Sequence, residues 1–352
     1  MHVFESLTTL DPAQTVLTRP VCCSLGMFDG VHVGHQMVLE RAVKEARFRK
    51  ILALVFSFAN HPQHVLAKTP VPLLSTLGQR LEHFRHLGFD AAWVPPFDPK
   101  IQAMSARDFV QNVLVERLKV AHITVGYDFR FGSDRLGDTD FLTDFGKRQG
   151  FSVEVVPPVR VDHQVVSSTL IRKLLSYGNV AEAARLLGQV YAVTGTVQQG
   201  FQRGRALGFP TANIVTQDPS LLIPANGTYA GYAWVRGAYY PAVCNVGQSP
   251  TFDDPTPKKR VEVHLMDYHQ AESLYNETLG FAFCLRLRDE QRFPSVDHLV
   301  RQIHQDCHQT VCWWEAEGQR QFYQQYSAFK QPAPVLSPQA NHQWLNPVTI
   351  RA

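Results

Sequence analysis

Two histidines three residues apart, His32 and His35, lie in Ser24-Leu25-Gly26-Met27-Phe28-Asp29-Gly30-Val31-His32-Val33-Gly34-His35, where an apolar run gives way to a mixed apolar and charged one. Imidazoles at that spacing share one helical face beside the amide N–H groups of a helix start, an arrangement that suits an anion such as phosphate. Gly26 and Gly30 let the backbone turn tightly between strand and helix. The same pair also fits ordinary polar loop residues or a fragment of a zinc site, and spacing alone leaves both open. Zinc is the weaker alternative, since no nearby cysteine or third histidine completes its ligand set with zinc-type spacing. A nucleoside triphosphate is the stronger one. Further donors for it stand at Arg130, Ser168, Thr169 and Arg172, enough to stabilise charge developing on a pentavalent phosphorus without a covalent intermediate. Neither G-x-x-x-x-G-K-[ST] nor G-x-G-x-x-G occurs, so P-loop and dinucleotide readings lose their main support.

The elements that must position these groups alternate. Strand patterns fall at 21–25, 51–57, 91–94, 123–126 and 153–156, and helix patterns at 35–47, 77–87, 105–118 and 139–148, which spells a parallel sheet covered by helices. Ser105 with Asp108 reads as a helix cap, and Ser168 as a cap for 169–176. Each unusual segment follows a strand: 26–35, then Phe58-Ala59-Asn60-His61-Pro62, then 127–132, then 165–169. Loops at the carboxyl ends of parallel strands share one edge, so these four islands are expected to converge on one cleft.

After Leu187 the pattern changes to strand after strand: 190–198, 228–236, 239–245, 260–266 and 280–288, a small closed or nearly closed antiparallel barrel, followed by helix from 295 to about 329. In 260–266, Glu262 and His264 share a face opposite Val261, Val263 and Leu265. A solvent-facing strand carboxylate is the plain reading of Glu262, and turn formers after Pro210 the plain reading of Thr211 and Asn213. The Pro-rich end, 331–352, lacks periodicity and reads as a loose tail.

With 352 residues, 45% hydrophobic and 18% charged, the chain has material for two cores, and its net charge of +3 is too small for a dedicated nucleic-acid surface. Cysteines at 22, 23, 244, 284, 307 and 312 form no C-x-x-C pair and read as six buried, reduced thiols. No basic-then-apolar leader opens the chain, and the apolar runs are too short to span a bilayer, so a cytoplasmic protein with no membrane partner is expected.

Three segments of the first half, Gly26 to His35 as quoted, Gly126-Tyr127-Asp128-Phe129-Arg130-Phe131-Gly132 and Ser167-Ser168-Thr169-Leu170-Ile171-Arg172, resemble the adenylyltransferase module of bacterial bifunctional riboflavin kinase/FAD synthetases. In the second half, Gly204-Arg205-Ala206-Leu207-Gly208-Phe209-Pro210-Thr211-Ala212-Asn213, Asn245-Val246-Gly247, Pro250-Thr251-Phe252 and Val261-Glu262-Val263-His264-Leu265 resemble its kinase module in order and spacing. The resemblance covers roughly 15–315, and its co-linear motifs are far more specific together than singly.

That resemblance implies an α/β chain with a Rossmann-like nucleotidyltransferase domain over 1–187, a small β-barrel kinase domain with C-terminal helices over 188–330, and the tail beyond. It implies that riboflavin is phosphorylated to FMN, which is adenylylated to FAD with release of pyrophosphate. Gly26, Phe28, Asp29, Gly30, His32, Gly34, His35, Asp128, Ser168, Thr169 and Arg172 would surround ATP in the first module, with His32 and His35 catalytic and His61 and Pro62 beside the flavin. In the second, Gly204, Arg205, Gly208, Pro210, Thr211 and Asn213 would hold ATP, 200–208 forming a flap. Thr211 and Asn213 would meet Mg²⁺, and Glu262 would be the catalytic carboxylate. Leu170, Phe201 and Ser249 stand where the family commonly has arginine, an acidic residue and arginine. A homo-oligomer is compatible with all of this. Two other functions fit parts of the pattern: a nucleotidylyltransferase using another phosphorylated acceptor, and a noncatalytic nucleotide- or flavin-responsive binding protein.

Overall fold

The computed structural model describes residues 1–5, 19–67, 70–200, 203–248, 259–268 and 273–320. Phe201, Ser249, the Pro250-Thr251-Phe252 motif and the tail lie outside them. Contacts divide the chain into two compact units that meet in sequence between Leu170 and Ile171.

In the first unit, β1 (His2–Phe4), β2 (Val21–Leu25), β3 (Leu52–Phe56), β4 (Ala91–Trp93), β5 (Val120–Gly126) and β6 (Ser152–Val156) form one sheet in the order β1-β4-β3-β2-β5-β6, every neighbour parallel. All five residues of β2 are buried, as expected of a central strand covered on both faces. The order reverses between β2 and β5, which makes the crevice beyond their carboxyl ends the place where open α/β sheets take ligands. Strand β1 is a correction: three residues carry no periodicity, and only pairing with β4 defines it.

Helices α1 (Val33–Arg49), α2 (Pro62–Leu66) and α3 (Leu77–Leu87) follow β2 and β3. Thr76 and Gln79 form a capping box at the start of α3, and Gly88, at φ 93°, ends it in the left-handed region. Then come α4 (Pro99–Ala103) and α5 (Ala106–Asp108), the latter capped by Ser105 as expected, before the chain widens into a π-helix over Phe109–Arg117 that buries Phe109, Val110, Val113 and Leu114. Helix α6 (Thr139–Gln149) precedes β6, and the hairpin β7 (Arg160–Val161) and β8 (Gln164–Val165) leads into α7 (Ser168–Ser176). Asp162 and His163 both take positive φ in that hairpin, the conformation a two-residue turn demands.

In the second unit, α8 (Val180–Leu187) precedes β9 (Tyr191–Gln198), the single turn α9 (Arg203–Ala206), β10 (Ala212–Thr216), β11 (Gly227–Val235), β12 (Ala238–Gln248), β13 (Lys259–Leu265), β14 (Thr278–Arg288) and α10 (Val296–Trp313). The barrel is closed and antiparallel in the order β10-β13-β12-β11-β14-β9. It has six strands, where the sequence suggested five. The sixth, β10, is the segment holding Asn213, so a turn-forming role for Asn213 is excluded. Helix α10 packs Val300, Ile303, Cys307 and Val311 around Phe209, Val243 and Met266. It is pinned by Asp306, whose buried carboxylate receives Arg288 Nε (3.0 Å) and Nη2 (2.7 Å), a fork matched to a carboxylate. All six cysteines are free; five are buried, but Cys312 is exposed on α10, which corrects the expectation of six buried thiols.

Candidate active sites

The turn after β2 is strained and heavily anchored. Phe28 and Val31 have φ of 53° and 41°, and a β-branched residue in that region is a true outlier. Gly30, at φ 80°, takes the same region freely. At Gly26 the constraint is space, because a Cβ there would lie 2.7 Å from the Phe28 ring. Asp29 holds the turn from below. Its carboxylate, 2% exposed, accepts from the N–H groups of Leu74 and Ser75 (3.0 Å each) and from the Ser75 hydroxyl, while Ser75 Oγ accepts from the Gly30 N–H at 2.8 Å. Asp29 therefore contributes to this site by fixing backbone.

His32 is the N-cap of α1 and not a residue of its first turn, which corrects the expectation of two histidines on one helical face. Its Nδ1 accepts the His35 N–H at 3.2 Å. The two rings nonetheless stack, 3.6 Å between centroids and 16° apart, with the Phe28 edge against His35. Gly34 leaves room for this: a Cβ there would lie 3.1 Å from His32 Cε1.

The fourth island meets the first. Ser168 Oγ donates to the Asp29 carbonyl at 3.1 Å, joining the fourth island to the first. Ser168 is thus not the cap of its helix; Ser167 Oγ takes the Leu170 N–H instead, at 3.3 Å. Thr169 follows on the exposed side, and Arg172 lies one turn along the same helix. Asp128 is exposed in the turn after β5, with Oδ1 3.4 Å from where a Gly126 Cβ would sit. Arg130, expected as a phosphate donor, pairs through Nη1 with Asp138 at 2.7 Å. His61 caps α2 and Pro62 is its first residue. Asn60 exchanges hydrogen bonds with the backbone of Phe97, fixing the loop that carries them.

On the barrel, pairing places Asn213, Glu262 and Asn245 side by side on β10, β13 and β12. In the amide orientation that satisfies both neighbours, Asn213 accepts the Gly200 N–H at 3.1 Å and donates to Glu262 Oε1 at 3.3 Å. Residues 204–209 close a tight turn, with the Phe209 N–H on the Gly204 carbonyl at 2.8 Å and Gly208 at φ 84°. At Gly204 a Cβ would lie 2.3 Å from the Phe209 carbonyl oxygen and 3.4 Å from Thr211 Oγ1. Arg205 and Pro210 are exposed. His264, on the Glu262 face but buried, bonds the Pro210 carbonyl through Nδ1 at 2.8 Å, and burial lowers its pKa. Phe209 packs edge-on against His264 and His304. The segment leading to Thr211 is therefore held by β13 and α10 together.

A family model described as FAD synthetase matches residues 15–170, and one described as riboflavin kinase matches 187–314. The bifunctional riboflavin kinase/FMN adenylyltransferase of Pseudomonas fluorescens is 36% identical over 306 residues, 87% of this chain and 96% of that protein. This chain belongs to that family. The Bacillus subtilis (strain 168) member is 33% identical over 292 residues, 82% of this chain and 90% of its own length. A solved structure from Streptococcus pneumoniae, described as a macrolide-efflux protein, shares the fold with a TM-score of 0.78 at 29% identity, over 89% of this chain and all of that one.

For a family whose reactions consume ATP, a magnesium ion is the cation to test. Among the described residues no three His, Cys, Asp or Glu side chains gather to hold a metal. The oxygen donors Thr211 and Asn213 do suit a hard ion that keeps most of its shell as phosphate and water.

Two residues escaped the motif reading. Arg80 passes for a surface charge, yet it stands three residues after Leu77 and four before Phe84, inside the apolar stripe of α3, and that placement is a legible signal of burial. Ser75 had no such signal, because the Asp29 contacts that define it span 46 residues.

Proposed function

We infer that the chain performs both reactions of its family at two separate sites: ATP phosphorylates riboflavin to FMN on the barrel, and a second ATP adenylylates FMN to FAD at the carboxyl edge of the parallel sheet. One observation carries the reading. His32 and His35 stack at the β2–β5 switch point of the first unit, and Asn213 bonds Glu262 across β10 and β13 of the second.

On the barrel, Glu262 takes the proton of the ribityl 5′-hydroxyl while that oxygen attacks the γ-phosphorus; the bond from γ-phosphorus to the bridging oxygen breaks and ADP leaves. Asn213 aims the carboxylate. Gly204, Arg205, Gly208 and Pro210 lie along the segment that would cover ATP, and Thr211 and Asn213 would hold Mg²⁺. When bound, the ion neutralises phosphate charge.

At the sheet edge, a phosphate oxygen of FMN attacks the α-phosphorus of ATP and pyrophosphate departs. FMN phosphate is already an anion, so no general base is required. The demand is for donors against charge on the α-phosphate, which His32, His35 and the amides of 26–30 supply, with Ser168, Thr169, Arg172 and Asp128 around the nucleotide and His61 and Pro62 beside the flavin.

We assign adenylylation to 1–187 and phosphorylation to 188–330, in a cytoplasmic protein without nucleic-acid or membrane partners, and a homo-oligomer is compatible with this. No helix among the described residues is long and apolar enough to cross a membrane. Incubation of the purified chain with riboflavin, ATP and Mg²⁺, followed by chromatography, should show FMN rising first and FAD after it. Neither product from a folded preparation would end the reading, and FMN alone would confine it to the barrel.

A further inference from the structure

Arg80 is a full charge in a place water barely reaches, 1% exposed in the middle of α3. A guanidinium gives up its hydration there and is tolerable only if its N–H groups find acceptors. It finds four. Nη1 donates to the Met27 carbonyl (3.1 Å), the Ser57 hydroxyl (3.0 Å) and the Phe58 carbonyl (2.9 Å), and Nη2 to the Ala59 carbonyl (3.0 Å). Burial lowers its pKa to about 10, against an opposing pull from Asp29, so it remains a cation at neutral pH.

These acceptors belong to two loops. Met27 is in the turn that carries His32, whereas Ser57, Phe58 and Ala59 leave β3 and lead to His61. Strand pairing aligns β2 and β3 only as far as Leu25 and Phe56, with one more bond from the Gly26 N–H to the Phe56 carbonyl at 3.2 Å. Past that point Ser57 Oγ, donating to the Met27 carbonyl at 2.9 Å, and Arg80 continue the cross-link. The first loop needs it, since Phe28, the residue after Met27, is held left-handed.

We propose that Arg80 is a positioning residue for FMN adenylylation: it fixes the loop bearing His32 against the loop bearing His61 and so sets the distance between the nucleotide and flavin sides of the site. The inference rests on the adenylyltransferase reading of the first unit. A displacement of about 1 Å between reacting groups can cost on the order of a hundredfold in rate. Lysine keeps a charge and three donors for Met27, Ser57 and Phe58 but loses the fork to Ala59, and methionine takes the guanidinium donors from all four acceptors, leaving only the Ser57 hydroxyl on the Met27 carbonyl.

The test uses the full chain as wild type, Arg80→Lys, Arg80→Met and Ser57→Ala, with riboflavin phosphorylation in the same preparations as the internal control. Arg80→Met should lower kcat for FMN adenylylation on the order of a hundredfold, with KM for ATP within about threefold and phosphorylation within about twofold of wild type. Arg80→Lys should recover to within about tenfold, and Ser57→Ala should show a smaller loss in the same direction. The deficit should persist at about 10 °C and saturating ATP and FMN, conditions that draw a partly unfolded population back to the native state. Wild-type kcat in Arg80→Met overturns the proposal, as does a deficit that cooling and ligand erase. Should Arg80→Met not fold, wild-type kcat in both Arg80→Lys and Ser57→Ala overturns it. A wild-type chain that makes FMN but never FAD sinks the functional reading instead.

Discussion

Glu262→Gln should all but stop the conversion of riboflavin to FMN and leave the conversion of supplied FMN to FAD untouched. Glutamine has nearly the shape of glutamate, and its carbonyl oxygen can still accept from the Asn213 amide, so the rung Asn213, Glu262 and Asn245 keeps its packing. What it cannot do is take a proton. A positioned general base is worth about 10²–10⁴-fold, and kcat should fall by that amount while KM for riboflavin stays within about threefold. Steady-state rates from separated products read both numbers. Phosphorylation at about a tenth of the wild-type rate or more would assign the proton transfer elsewhere.

His32→Asn should produce the opposite phenotype. Alanine would be the cruder test, because His32 caps α1 and an uncapped helix costs about 1 kcal/mol, which mixes folding with chemistry. Asparagine is among the best N-cap residues and can accept the His35 N–H as the imidazole does, so α1 keeps its start. The imidazole donor that the proposal assigns to phosphate is lost, and with it the ring stacked on His35. Loss of one such donor is worth about 10²–10³-fold, so FAD formation from FMN and ATP should drop by that factor with riboflavin phosphorylation unchanged. Wild-type FAD formation in this variant would remove His32 from the machinery.

Elements with strong periodicity were legible in the sequence. Residues 21–25 and 77–87 have the same bounds in the structure as in the pattern, the first because a doubly covered strand is apolar at every position but Ser24, the second because Thr76, Gln79 and Gly88 punctuate it. Short or tertiary-defined pieces were not. Strand β10 offered five residues after a Pro-Thr turn signal, and only closure of the barrel against β9 and β13 makes them a strand. Helix 105–118 was found, but its widening to π geometry has no counterpart in side-chain spacing. At the sites, some motif residues make contacts that a local reading did not foresee. Asp29 is buried under the turn it shapes, and the hydroxyl of Ser168 reaches across 139 residues to the Asp29 carbonyl when local logic made it a cap. Side-chain partners so distant in sequence leave no local pattern to read.

Two separable sites in one chain can be tested by mixing. Glu262→Gln alone should make no FMN from riboflavin, and His32→Asn alone should stop at FMN. Combined with riboflavin, ATP and Mg²⁺, the two variants should restore FAD, as FMN released by one chain is adenylylated by the other. If each variant performs its remaining half-reaction separately and the mixture still yields no FAD, the account of two independent pockets is contradicted.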